Sequence, residues 1–127
     1  MADNLTDLAE NALLDHLFAT ATLTITGPIK LALSTTAGSD AAAGTEVTGG
    51  SYARQTIAFS AASAGSTSNS GTVTFTGMPA CTVVGIEIYD SNGTPKRLAY
   101  GALTANKTVG AGDTLTFAAA SISLSLA

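Results

Sequence analysis

The chain has 127 residues, one ordinary domain's length, enough to bury a core without disulfide or metal staples. Hydrophobic residues make up 46% and charged residues only 11%, less than half the usual share of charge, so the polar surface has to be built from Ser, Thr, Asn and Gly, a coat suited to strands and turns. The net charge of -4 and pI near 4.5 count against nucleic-acid binding, which needs a basic stripe, and no apolar run approaches membrane-spanning length.

The chain opens with MADNLTDLAEN, too acidic for a signal peptide. Leu5, Leu8, Ala9, Ala12, Leu13 and Leu17 recur at helical spacing, with Leu14 and Phe18 widening the stripe. This predicts a helical arm over residues 1–20, capped by Asp3 or Asn4, with Asp7 and Glu10 near its positive end. The β-branched run ATATLTITGP ends it.

After Pro28 the period is two. Ile29, Leu31 and Leu33 alternate with Lys30, Ala32 and Ser34, and Ile57 and Phe59 follow the same rule. Val73 and Phe75 alternate with threonines, and Val84, Ile86 and Ile88 oppose Gly85, Glu87 and Tyr89. Leu98 and Tyr100, Leu115 and Phe117, and Ile122, Leu124 and Leu126 continue the pattern, for about seven or eight short strands. Asp90-Ser91-Asn92-Gly93 predicts a tight hairpin with Asn-Gly at positive φ, and Gly110-Ala111-Gly112-Asp113 a second turn. Residues 37–50 form a longer Ala/Gly loop, and residues 61–71 are the most flexible stretch by composition. The expectation is a mostly β protein: one antiparallel β-sandwich, jelly-roll or immunoglobulin-like, over residues 21–127, with an N-terminal α-helix.

No catalytic constellation emerges. His16 is the only histidine, so the serines lack a base, and one His, one Cys and scattered acids do not make a metal site. Glu87 and Asp90 are three apart on a strand and point to opposite faces, the wrong arrangement for paired acid–base work. Cys81, between Ala80 and Thr82, reads as a small core residue. The reading is of a chain without enzymatic activity, cofactor or bound metal, and without nucleic-acid or membrane partners. So thinly charged a domain is expected to pack against copies of itself, as a homodimer or homotrimer, or against other subunits.

The segments LALSTTAGSD, GTEVTGGSYARQTIAFS and VVGIEIYDSNGTPKRLAYGALTANKTVGAGDTLTF stand in a telling order. Glu46, Val47, Gly49, Gly50, Ser51, Tyr52, Ala53 and Arg54, then Asn69, Gly85-Ile86, Asp90, Gly101, Leu103, Val109, Gly112, Asp113 and Phe117 match a pattern. The chain resembles short virion proteins of tailed bacteriophages, often labelled tail-fibre-like, over roughly residues 29–126; the leucines at 5, 8, 13 and 17 are also like that family's start. Glu87, where the family often has an apolar residue, is a departure.

The resemblance implies structural roles. Gly49 and Gly50 turn the chain into a strand, Tyr52 lies over the sheet edge with its hydroxyl on backbone, and Arg54 clamps a neighbouring loop or pairs with Glu46 or Asp113. It implies a virion protein assembled in the bacterial cytoplasm. The leading expectation is a capsid cement or decoration subunit that contacts the major capsid protein and itself, with the arm of Leu5, Leu8, Leu13 and Leu17 reaching a neighbour. The alternative is a tail-fibre or tail-associated adhesin whose loops at 37–50 and 61–71 meet the host surface.

Overall fold

The computed structural model describes residues 4–126. The chain is mostly β, with one short helix and antiparallel sheets. In chain order the described elements are β1 (Asn4–Leu5), α1 (Asp7–Phe18), β2 (Lys30–Ser34), β3 (Gln55–Thr56), β4 (Ser66–Ser68), β5 (Val73–Phe75), β6 (Cys81–Tyr89), β7 (Arg97–Val109), β8 (Leu115–Phe117) and β9 (Ser123–Ser125). The principal sheet has the order β1-β7-β6-β2-β3; β4 pairs with β9 and β5 with β8 in two separate ribbons.

Register explains the core. Leu31 lies opposite Ile88 and Leu33 opposite Ile86, and Ala99 is the other neighbour of Ile88. These residues share one face and are buried with Val73 and Phe75 of β5, Leu115 of β8, Val47, Ile57, Met78, Val83 and Ile122. The alternation predicts Val84 in this set, but Val83 fills the place. A register shift between Val83 and Gly85 opens a bulge in the β6–β7 pairing, and a bulge turns the residues beyond it to the other face.

The hairpin expected at Asn92-Gly93 is also different. Neither residue takes a positive φ. The connection runs from Tyr89 to Arg97 and is organised by buried Asp90, whose carboxylate accepts from the backbone N–H groups of Lys96 at 2.7 Å and of Asn92 and Thr26 at 3.3 Å. Burial works to raise this carboxyl, and the three N–H donors with the Lys96 charge outweigh it, holding it below the usual range. The second expected turn forms, with Gly112 at φ 85° and the Gly110 N–H donating to Asp113 Oδ2. Within the stretch that composition marks as flexible, Ser66–Ser68 is a strand, held to β9 in register.

The helix begins later than its apolar spacing suggests. Asp3 lies outside the described residues, and Asn4 and Leu5 pair with Tyr100 and Ala99 of β7 as a strand. Thr6 is the N-cap: its hydroxyl accepts from the Ala9 N–H and donates to the Arg97 carbonyl at 2.6 Å. One side chain therefore starts the helix and ties it to the sheet. Leu5 thus leaves the stripe, and Ala9, Ala12 and Leu13 turn toward the body while no α1 residue is fully buried.

Candidate functional site: a braced sheet face and an exposed helix

The sheet face opposite the core is where the ionised residues gather. Ala32, Glu87 and Tyr100 stand side by side across β2, β6 and β7. Glu87 is buried, although glutamate is rarely so unless paired. Arg97 Nη2 stands 3.2 Å from Glu87 Oε1, an ion pair without hydrogen-bond geometry. The Tyr89 hydroxyl donates to Glu87 Oε2 at 2.9 Å and the Gly44 N–H donates to Oε1 at 2.8 Å. The Arg97 guanidinium carbon lies 4.9 Å from the centre of the Tyr100 ring, whose hydroxyl donates to Asp40.

Arg54 repeats the arrangement at the β2 edge. Its Nη2 donates to Glu46 Oε1 at 2.7 Å and its Nε to Oε2 at 3.0 Å, a two-pronged pair. Of the two expected partners, Glu46 and Asp113, the structure brings Glu46 to Arg54. The guanidinium carbon sits 3.8 Å from the centre of the Tyr89 ring. Burial works to raise the Glu46 carboxyl, and the hydrogen bonds from Arg54 and Tyr52 with the Arg54 charge hold it below the usual range. Hydrogen bonding to Glu46 in turn raises Arg54 above its ordinary value.

Tyr52 completes the edge. Its hydroxyl accepts from the Leu33 N–H at 2.9 Å, standing in for a missing strand partner, and donates to Glu46 Oε2 at 2.9 Å. Its ring stacks on Phe75, with centroids 5.9 Å apart. Gly49 and Gly50 precede it at φ 103° and 55°. A Cβ on Gly50 would lie 2.6 Å from the Gly77 carbonyl oxygen, which accepts from the Ser51 N–H at 2.8 Å.

The loop at residues 37–50 is therefore laid onto the sheet. A Cβ on Gly38 would strike Glu87 and Arg97, and one on Gly44 would lie 2.1 Å from the Thr36 carbonyl oxygen. Arg97, Glu87, Tyr89, Tyr100 and Asp40 were not singled out from the sequence as a group. The only local signal was the acidic side chain of Glu87 inside an apolar strand. Buried Asn69 is a second site that spacing does not reveal: its amide donates to the Gly71 and Ala118 carbonyls and its Oδ1 accepts from the Ile122 N–H.

The other expected residues lie on the helix side. Leu5 and Leu13 line a cleft of about 300 Å³ with Leu124 and Leu126. Leu8 and Leu17 are 49% and 59% exposed, and Leu14 and Phe18 are 54% and 79% exposed. His16 is exposed, with Nδ1 3.0 Å from the Ala21 carbonyl oxygen at the helix end. Cys81 is half-buried, and burial pushes its thiol up, away from the reactive thiolate. Among the described residues there is no metal-ligand cluster, and no helix is long and apolar enough to cross a membrane.

Charged groups thus brace the sheet face, and the outward side of α1 leaves Leu14, Leu17 and Phe18 exposed. The family model described as podophage GP4 fiber I protein gp80 matches residues 4–125, and the chain belongs to this family of short-tailed-phage virion structural proteins. The family's description is of a fibre protein, which agrees with the tail-fibre reading more than with capsid cement. A comparison with curated proteins returned no match.

Proposed function

We propose that the chain is a non-enzymatic fibre subunit of the short tail. The observation that carries this reading is the fibre-protein family match over residues 4–125. The structure supports it in two ways. The loop at 37–50 is anchored to the sheet by Glu46 and Glu87, which suits a rigid building block. The exposed apolar side of α1 offers a surface for attachment. In this reading the principal sheet and the β5–β8 ribbon enclose the core as a small sandwich, and copies associate in a closed dimer or trimer through sheet surface away from α1. The capsid-decoration reading has no comparable support.

Immunogold labelling of intact particles and a copy number from purified virions test the assignment. Label at the tail, with copies far below those of the major capsid protein, is expected. Label over the head in capsid-like numbers would overturn it.

A further inference from the structure

Leu14 and Phe18, four residues apart, lie one above the other on the outward side of α1, and Leu17 stands beside them. Asp7, Glu10 and Asp15 are exposed on the same helix, which has no Lys or Arg. The apolar cluster falls in the last turns, next to the partly negative carbonyl end. The result is an apolar patch with an acidic rim.

A second copy of this chain has little to offer such a rim. Of the five Lys and Arg residues, Arg54 and Arg97 are engaged on the braced sheet face. Lys30 Nζ donates to Thr56 Oγ1 at 2.9 Å and Lys96 Nζ to the Thr24 carbonyl at 2.7 Å. These bonds go to neutral oxygens and leave both ammonium charges in place, but no Lys or Arg lies on α1, and the chain carries nine Asp and Glu against five Lys and Arg. Two α1 helices placed face to face would set carboxylates against carboxylates.

We propose that α1 docks into a different virion protein, in an apolar groove rimmed by lysine or arginine, and that it does not mediate self-association. This rests on the reading of the chain as a virion fibre subunit. Rim charges of this kind govern association rate and salt sensitivity, because the screening length falls from about 8 Å at physiological salt to about 3 Å at 1 M.

Virions whose copies carry Phe18→p-benzoylphenylalanine, irradiated intact, provide the test. The expected adduct joins position 18 to another virion protein, at a segment containing Lys or Arg. An adduct to a second copy, or no adduct, overturns the proposal. In parallel, the purified double variant Glu10→Lys, Asp15→Lys is added to particles lacking the chain, after circular dichroism and melting confirm the parental fold. Occupancy about tenfold below the parent is expected, and parental occupancy overturns the proposal. Absence of the chain from purified particles would sink the fibre reading itself; its presence with self-adducts sinks only this inference.

Discussion

Arg54 lies over Tyr89, its guanidinium carbon 3.8 Å from the ring centre, while the hydroxyl of the same tyrosine donates to Glu87. Tyr89 thus joins the Arg54–Glu46 pair to the Arg97–Glu87 pair, and the face opposite the core is held by one continuous set of charges and rings.

The two arginines should differ in their contribution. Arg54 and Glu46 have side chains 31% and 30% exposed, against 12% and 4% for Arg97 and Glu87. Removing Arg54 gives up a partly solvated pair and a ring contact, about 1–2 kcal/mol. Removing Arg97 leaves a buried carboxylate without its cation, about 3–5 kcal/mol. Chemical denaturation of Arg54→Ala and Arg97→Ala is expected to show the second as the larger loss. Arg54→Lys should behave nearly as badly as Arg54→Ala, because an ammonium has neither the fork nor the flat face. Equal losses for the two alanine variants would contradict this picture.

Stability should fall at both ends of the pH scale. The Glu46 and Asp90 carboxyls are held low in the folded chain. Between the folded and unfolded values the unfolded chain binds more protons, so their contribution is full above about pH 4 and disappears as pH drops through the folded values. Tyr89 shifts the other way: burial, then its hydrogen bond to Glu87, pushes it up to about 12. Its contribution is full below an unfolded value of about 10 and is lost as pH rises through the folded one. Melting temperature against pH should form a plateau with two shoulders. Glu46→Gln and Asp90→Asn should flatten the acid shoulder, and Tyr89→Phe should reduce the alkaline one, to which Tyr52, also pushed up by burial, contributes.

Gly50 and Gly112 both take positive φ, but only one is crowded. A Cβ on Gly112 meets nothing within 4 Å, while at Gly50 it meets the backbone of Gly77 and Met78. Gly112→Ala is therefore expected to cost about 1 kcal/mol of backbone strain. Gly50→Ala should cost more than about 2 kcal/mol, since a carbonyl must move as well. Thermal melts of the two variants make the comparison, and a milder effect at Gly50 would refute the crowding.

Asn69 holds three backbone groups from two different segments with a side chain that is 1% exposed. Asn69→Ala leaves the buried Ile122 N–H unmatched and takes a donor from the more exposed Gly71 and Ala118 carbonyls, an expected loss of roughly 1–3 kcal/mol. Hydrogen exchange should show the Ile122 N–H losing protection first. An Ile122 amide as protected as in the parent would refute the role.

Alternation was enough to find the core pairs Leu31 with Leu33, Val73 with Phe75, and Ile86 with Ile88, because each strand buries one face. It misassigned Val84 because a bulge changes phase without changing composition. The helix was legible as a helix, but not its start: Thr6 takes the cap in place of Asn4 because β7 recruits Asn4 and Leu5 into the sheet. Arg54 could be placed near Glu46 through the resemblance of GTEVTGGSYAR. The Arg97 half of the brace could not, since Asp40, Glu87 and Arg97 meet only when a loop folds over two paired strands. Asn69 is picked out by the resemblance, but its bonding is not, because the segment near Ile122 has to fold back to meet it.

The chain contains no tryptophan, and each of its three tyrosines belongs to the brace or its edge. Its ultraviolet emission and near-ultraviolet dichroism therefore arise from that face and from Tyr52 at its edge, whose ring stacks on Phe75, with Phe residues adding only weakly. An optical trace of this protein, with no label attached, follows whether the loop at 37–50 is seated on the sheet, and a melt followed this way can be compared with far-ultraviolet dichroism to show whether that face loosens before the strands part.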